Sequence, residues 1–290
     1  MSIQISDITN KSTIISDGAW GTELAKLGPS DGACSELWNS EHPDRVESVA
    51  KSYVDAGSQI ILTNSFSGNR FRLKEYNCLD RLADLNKKAV EISKRAAGNK
   101  ALVFASIGPS GKILSIGDVT EEELYDAFAE QAVALKQGGA DGIVVETMSD
   151  AVELKAAIRA VKDKTGLFVV ASLSFDSGAD NTYTMMGVSV TDAVKVIEEA
   201  GGDVAGANCG IGIDKYKNIC KIYKDSTDLP IWIKGNAGLP ELVNNVPVYK
   251  MGPEEFAEHA REVVKIGANI IGGCCGSSPA HLKALADSLN

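Results

Sequence analysis

Residues 142–172 read GIVVETMSDAVELKAAIRAVKDKTGLFVVAS. The stretch opens with an unbroken apolar run, Gly142-Ile143-Val144-Val145, that stops at Glu146. An amphipathic segment over 150–163 follows, and a second apolar run closes the stretch over 167–172. Runs that are apolar at nearly every position suit strands covered on both faces, whereas a half-exposed strand alternates. Two such strands joined by a helix form a βαβ unit, whose strands are parallel.

Outward from this unit the same alternation continues along the chain. Strands are expected over 13–17, 59–64, 102–107, 142–146, 167–172, 203–209, 230–235 and 269–273. Helices are expected over 43–56, 80–97, 121–137, 150–163, 191–200, 214–224, 253–266 and 279–288. Thr120 precedes Glu121-Glu122-Glu123, which places acids in a first helical turn, and Pro253 and Pro279 suit first helical positions. Eight alternations predict an α/β fold, a (β/α)8 TIM barrel, ahead of a doubly wound open sheet. No repeat, low-complexity tract or linker interrupts the pattern, so 1–290 reads as a single domain. Two irregular stretches, 28–41 and 240–249, belong on the face where barrels carry function.

The composition narrows the field. A chain of 290 residues buries roughly three quarters of its unfolded surface, and 44% hydrophobic with 23% charged residues is the make-up of a globular protein. No apolar run approaches the ~20 residues that span a bilayer, and residues 1–12 carry no secretory leader, so a cytoplasmic location is expected. A net charge of −10 with no basic face argues against nucleic acid as a partner. Cys34, Cys78, Cys209, Cys220, Cys274 and Cys275 are expected as thiols, because a chain this long needs no disulfide staples.

The residues that end the strands of a barrel share one mouth. Here they are Asp17, Asn64, Ser106 with Gly108, Glu146, Ser172 with Ser174, Cys209, Asn236, and Cys274 with Cys275. Each alone is an ordinary turn former or small filler. Together they gather carboxylates, amides, hydroxyls and thiols at one end. Adjacent cysteines in a regular strand point to opposite faces, but Gly272, Gly273 and Gly276 give the backbone freedom to turn Cys274 and Cys275 the same way. With Cys209 they make three thiolates, which hold Zn2+ while leaving one tetrahedral position open. A thiol entering that position ionises at neutral pH, which suggests thiol alkylation. For Cys274 and Cys275 alone, one buried and one free thiol, or a vicinal disulfide, remain as alternatives. His42, His259 and His281 fall at helix starts or on helix faces, where solvated or capping roles are the default.

These motifs resemble the homocysteine S-methyltransferase family over nearly the whole chain. The matching stretches are Asp17-Gly18-Ala19-Trp20-Gly21-Thr22-Glu23-Leu24, Leu62-Thr63-Asn64-Ser65-Phe66, Ser106-Ile107-Gly108-Pro109, Glu146-Thr147-Met148, Asn208-Cys209-Gly210, Asn236-Ala237-Gly238-Leu239-Pro240 and Gly272-Gly273-Cys274-Cys275-Gly276. The resemblance implies that Cys209, Cys274 and Cys275 act through zinc, with Asn236 as an exchangeable fourth ligand. It implies that Asp17 and Glu146 hold the ammonium of L-homocysteine, and that backbone amides near Gly18 and Ser106 receive its carboxylate. Two carboxylates in a barrel mouth are costly without a cation between them, which agrees with that role.

The resemblance also bears on the methyl donor. The stretch Asn236-Ala237-Gly238-Leu239-Pro240-Glu241 is nearest to the homocysteine-binding module of cobalamin-dependent enzymes, yet no corrinoid signature Asp-x-His-x-x-Gly is present. The expected product is methionine, and the expected donor is a methylated corrinoid carried by a separate protein. The alternatives are a small onium donor such as betaine, S-methylmethionine or another sulfonium, and a corrinoid-linked demethylating methyltransferase. A non-enzymatic zinc-binding or redox-sensing barrel is the last alternative.

Overall fold

The computed structural model describes residues 13–28, 34–243 and 246–289. Segment 1–12, where no secretory leader is expected, and positions 29–33 and 244–245 of the irregular stretches lie outside the described residues. Eight parallel strands form one sheet: β1 (Ile14–Ile15), β2 (Ile60–Ile61), β3 (Leu102–Ile107), β4 (Gly142–Met148), β5 (Phe168–Leu173), β6 (Val204–Gly212), β7 (Ile231–Asn236) and, after a hairpin, β10 (Ile270–Gly273). Their order is β1-β10-β7-β6-β5-β4-β3-β2. The β1–β2 seam is closed by the Gln59 N–H donating to the Ile15 carbonyl at 2.7 Å and the Ile15 N–H donating to the Gln59 side chain at 3.1 Å. The sheet is thus the barrel that the alternation predicts.

Strand alternation decides what reaches the mouth. Ile14, Ile60, Phe104, Val144, Val170, Val204, Trp232 and Ile270, one from each strand, pack as a buried cluster inside the barrel. Gly142 leaves room for the largest of its neighbours, since a Cβ there would lie 2.9 Å from the Phe104 ring. Side chains two positions further along a strand return to the same face. Two steps beyond the cluster therefore lie Ser106, Glu146, Ser172 and Lys234, where the packed core ends.

The outer faces of the strands meet the helices in a second, larger core. Helix Glu121–Gln137 buries Leu124, Phe128 and Leu135 there, each contributing about 1.5–3 kcal/mol by burial. Its start is a complete capping box, with Thr120 accepting from the Glu123 N–H and the Glu123 side chain accepting from the Thr120 N–H. Helix Pro43–Asp55 carries the fully buried Tyr53, whose hydroxyl lies 2.8 Å from the Ala19 carbonyl and 3.2 Å from the Ser277 carbonyl. One side chain thus ties together the loops that leave β1 and β10.

Three segments depart from expectation. Within 240–249, β8 (Glu241–Val243) and β9 (Val246–Val248) pair antiparallel where a plain loop is expected. Within 28–41, a 3-10 turn over Ser35–Leu37 runs into the helix Trp38–Glu41. An additional helix, Arg70–Glu75, is started by Asn69, whose side chain accepts from the Phe71 and Arg72 N–H groups. All three are too short for periodicity to show, and local capping and pairing define them instead. Cys34, Cys78 and Cys220 are buried. Among the described residues no helix is long and apolar enough to cross a membrane.

Candidate active site

Alternation along β6 points Asn208 into the barrel and would turn Cys209 outward. The pairing of β6 with β7 shifts between Asn208 and Gly212, and Cys209 takes φ +60°, a left-handed conformation that few non-glycine residues adopt. This break brings the thiol back to the mouth. Cys274 and Cys275 follow the end of β10 in a turn closed by Gly276, at φ +80°, where any Cβ would run into the Tyr249 ring. The backbone holds the turn in place: the Cys274 N–H donates to Gly235 at 2.8 Å, and the Ala237 N–H donates to the Cys275 carbonyl at 3.0 Å.

The three Sγ atoms lie within 4.8 Å of one another, with Cys209 and Cys275 3.8 Å apart. Two thiolates on one tetrahedral zinc, each at ~2.3 Å, would be separated by about 3.8 Å, so the set fits that ion. Hydrogen bonds from Cys209 and Cys274 pull the Cys275 thiol below its ordinary range, while Cys209 is pushed up by hydrogen bonding with its two neighbours. Crowded sulfurs that favour a shared negative charge are a soft donor set. Asn236, joined to the turn by the same backbone bonds, is buried and its Oδ1 has no hydrogen-bond partner. A buried acceptor without a donor is rare, and a cation beside it would satisfy it.

Asn208 braces this centre. It donates to Thr147 Oγ1 at 2.7 Å, accepts from the Thr147 N–H at 2.9 Å and from Ser172 Oγ at 2.6 Å, and its amide reaches Cys274 Sγ at 3.8 Å. Thr147 itself has φ +61°, and the β4–β5 pairing shifts between Val145 and Met148. A β-branched residue resists that conformation, so it persists because Asn208 holds it.

Next to the thiols lies a cavity of about 460 Å³, walled by Trp20, Phe66, Tyr249, Glu146, Lys234 and the three cysteines, among others. Glu146 presents its carboxylate here and accepts from Ser106 Oγ at 2.5 Å. Burial pushes the Glu146 carboxyl up to about 7, against the pull of the nearby Lys234. Asp17 is fully buried and is not part of the cavity wall. Its Oδ1 accepts from Lys234 Nζ at 2.5 Å and Ser16 Oγ at 3.4 Å, and its Oδ2 accepts from Trp20 Nε1 and the Leu62 N–H, both at 2.7 Å. Burial works to lower the Lys234 pKa, but Asp17 and Glu146 outweigh it and keep the ammonium charged.

The expected residues therefore part company. Cys209, Cys274 and Cys275 converge, Asn236 lies buried between two residues bonded to their turn, and Glu146 and Gly18 line the cavity. Asp17 lies beneath it with four donors on its four lone-pair sites. Ser106 lines the wall, but its N–H is taken by Thr63 Oγ1 at 3.1 Å and its hydroxyl by Glu146. Lys234, Thr147 and Asn208 were not assigned roles from the sequence. The alternation Trp232, Lys234, Asn236 along β7 is the signal that places Lys234 inside.

Comparison with known proteins identifies the family. The profile of the homocysteine S-methyltransferase family matches residues 14–289. A methionine synthase of Mycobacterium tuberculosis is 32% identical over 97% of this chain, and one of Mycobacterium leprae is 31% identical over 94%. The chain spans about a quarter of the length of these relatives. A homocysteine methyltransferase from Escherichia coli, MmuM, solved in a metallated form, superposes with a TM-score of 0.79 at 23% identity, covering 95% of this chain and 96% of that one. The apo form of that protein gives 0.74 at 22% identity. With a match from the first strand of the barrel to its last helix, the chain belongs to the homocysteine S-methyltransferase family.

Proposed function

We propose that this barrel transfers a methyl group to the sulfur of L-homocysteine, giving methionine. The observation that carries this reading is the convergence of three thiols within 4.8 Å beside a cavity whose wall carries two carboxylates, Glu146 and Glu36, of which Glu36 already accepts from the Ser67 N–H, Ser35 Oγ and Cys34 Sγ. Cys209, Cys274 and Cys275 would hold Zn2+, with Asn236 able to complete the set. When bound there, the ion would lower the pKa of a coordinating thiol and keep its sulfur nucleophilic at neutral pH. The chain's own residues do the rest. Glu146, oriented by Ser106, takes the substrate ammonium. Trp20, Phe66 and Tyr249 give the cavity apolar walls that exclude water around the reacting sulfur. Asn208 fixes the backbone on both sides of the site.

For the donor, a methylated corrinoid presented by a separate protein is the first reading. The motif from Asn236 to Glu241 supports it. So does the hairpin beside the mouth, whose Pro247 lines the cavity while Leu239 and Leu242 stand exposed, as a surface met by another protein would. A small onium donor is the second reading, favoured by three aromatic rings on the cavity wall, since such rings attract organic cations. The test is metal analysis together with a homocysteine methylation assay against methylcobalamin, methyltetrahydrofolate with a corrinoid protein, S-methylmethionine and betaine. One zinc per chain and methionine formation with any of these supports the reading. Absence of bound zinc, or full activity in Cys274→Ala, defeats it.

A further inference from the structure

Lys234 is the cation that the mechanism above leaves unused. Its side chain is 3% exposed and lies on the cavity wall, close enough to Glu146 and Cys274 for their charges to act on it. An ammonium has three N–H donors. Among the described residues Asp17 is the only acceptor bonded to it, and the Trp232 ring, 5.7 Å away, provides an aromatic face and no hydrogen-bonding oxygen. Two buried donors are left at the edge of the cavity, and buried donors are almost always met by an acceptor.

The partner of Lys234 matters equally. Asp17 is saturated by Lys234, Ser16, Trp20 and Leu62 and is fully buried, so no lone pair remains for a substrate cation. The pair neutralises itself. A second ammonium beside Lys234 would meet a like charge in a low-dielectric pocket, while a carboxylate would meet two unpaired N–H donors. Glu36 also lines the cavity, but its carboxylate accepts from the Ser67 N–H at 2.7 Å and from Ser35 Oγ and Cys34 Sγ at 3.3 Å, which leaves Glu146 as the carboxylate open to an ammonium. Of the two backbone anchors expected for the acid group, the Ser106 N–H is taken by Thr63, while Gly18 lies on the same cavity wall as Lys234.

The geometry points to Lys234 as a specificity-determining residue that receives the carboxylate of the acceptor thiol, with the ammonium on Glu146 alone and Asp17 serving only to hold Lys234 in place. This rests on the reading of the site as a thiol methyltransferase. It implies that a mercapto acid lacking the ammonium is still recognised through its acid end.

The test is calorimetric titration of the zinc-loaded protein with three thiols: L-homocysteine, 4-mercaptobutyrate, which lacks the ammonium, and 3-aminopropane-1-thiol, which lacks the carboxylate. Lys234→Met should weaken homocysteine and 4-mercaptobutyrate by about tenfold or more and leave 3-aminopropane-1-thiol within about twofold. Glu146→Gln should do the converse, sparing only 4-mercaptobutyrate. Because Lys234→Met strands a buried Asp17 charge, the double variant Asp17→Asn/Lys234→Met removes both charges and should show the same selectivity as the single change. Equal weakening of all three thiols, or a Lys234→Met variant that spares 4-mercaptobutyrate, overturns the inference alone. Failure of the wild-type zinc-loaded protein to bind any of the three overturns the parent reading and this inference with it.

Discussion

Asn208 reaches across β5 to grip Thr147, accepting its N–H at 2.9 Å and donating to its hydroxyl at 2.7 Å. The two residues are immediate neighbours of Cys209 and Glu146. A single side chain thus sets the backbone of both the strand carrying Cys209 and the strand carrying the carboxylate.

Asn208→Ala should remove that grip. Leaving the Thr147 and Ser172 polar groups unpaired costs about 1–3 kcal/mol each at most, so urea unfolding should show a loss of about 2 kcal/mol. Zinc affinity, measured by competition with a chelator, should fall by roughly 10- to 100-fold, the usual effect of removing a group that orients ligands. Unchanged zinc affinity would confine Asn208 to a structural part.

Cys209→Gly should separate stability from function. Glycine accepts φ +60° without strain, so the metal-free variant should be more stable than wild type by about 1 kcal/mol in thermal unfolding with chelator. The same variant should lose stoichiometric zinc, because one of three sulfurs is gone.

Glu146 predicts a pH dependence in two directions. Its carboxyl is raised from 4.5 to about 7, so folding disfavours the ionised form. Relative to Glu146→Gln, the metal-free wild type should therefore lose stability as pH rises from about 4.5 to 7, by up to about 3 kcal/mol. Homocysteine binding runs the other way: its ammonium favours the ionised carboxylate, so affinity should rise as pH rises through about 7. In Glu146→Gln the step centred near 7 should be absent from calorimetric titrations, leaving only the gradual rise that comes from release of the thiol proton on the metal.

Lys234→Met should destabilise the fold by about 3–5 kcal/mol, the cost of stranding a buried charge, and Asp17→Asn in addition should restore much of it. Urea unfolding of the two variants decides this. If the double variant is no more stable than the single, Asp17 is held by Trp20 and Leu62 without need of the lysine.

Much of this was legible in the sequence because it is repetitive or chemically distinctive. Unbroken apolar runs such as Gly142 to Val145 give strands, and cysteines at strand ends flanked by glycine give a candidate metal set. The state of Asp17 was not legible. Its partners come from Leu62 and Lys234, 45 and 217 residues away, and no local pattern says that a carboxylate at a strand end is already satisfied. Asn208 was hidden for another reason: an asparagine beside a cysteine reads as a turn former until the bulge at Cys209 shows that it is the residue facing inward. The hairpin over 240–249 and the helix Arg70–Glu75 are set by pairing and capping over a few residues, where periodicity has nothing to count.

The pairing of Ile14 with Ile270 has a consequence for the order in which the molecule is completed. During synthesis the first strand emerges with no lasting neighbour on one side and waits for the last, which slots between it and β7. Two of the three sulfurs arrive just behind that last strand. A chain halted before Cys274 holds only Cys209 of the set, so uptake of a metal would report that the ring of strands has closed.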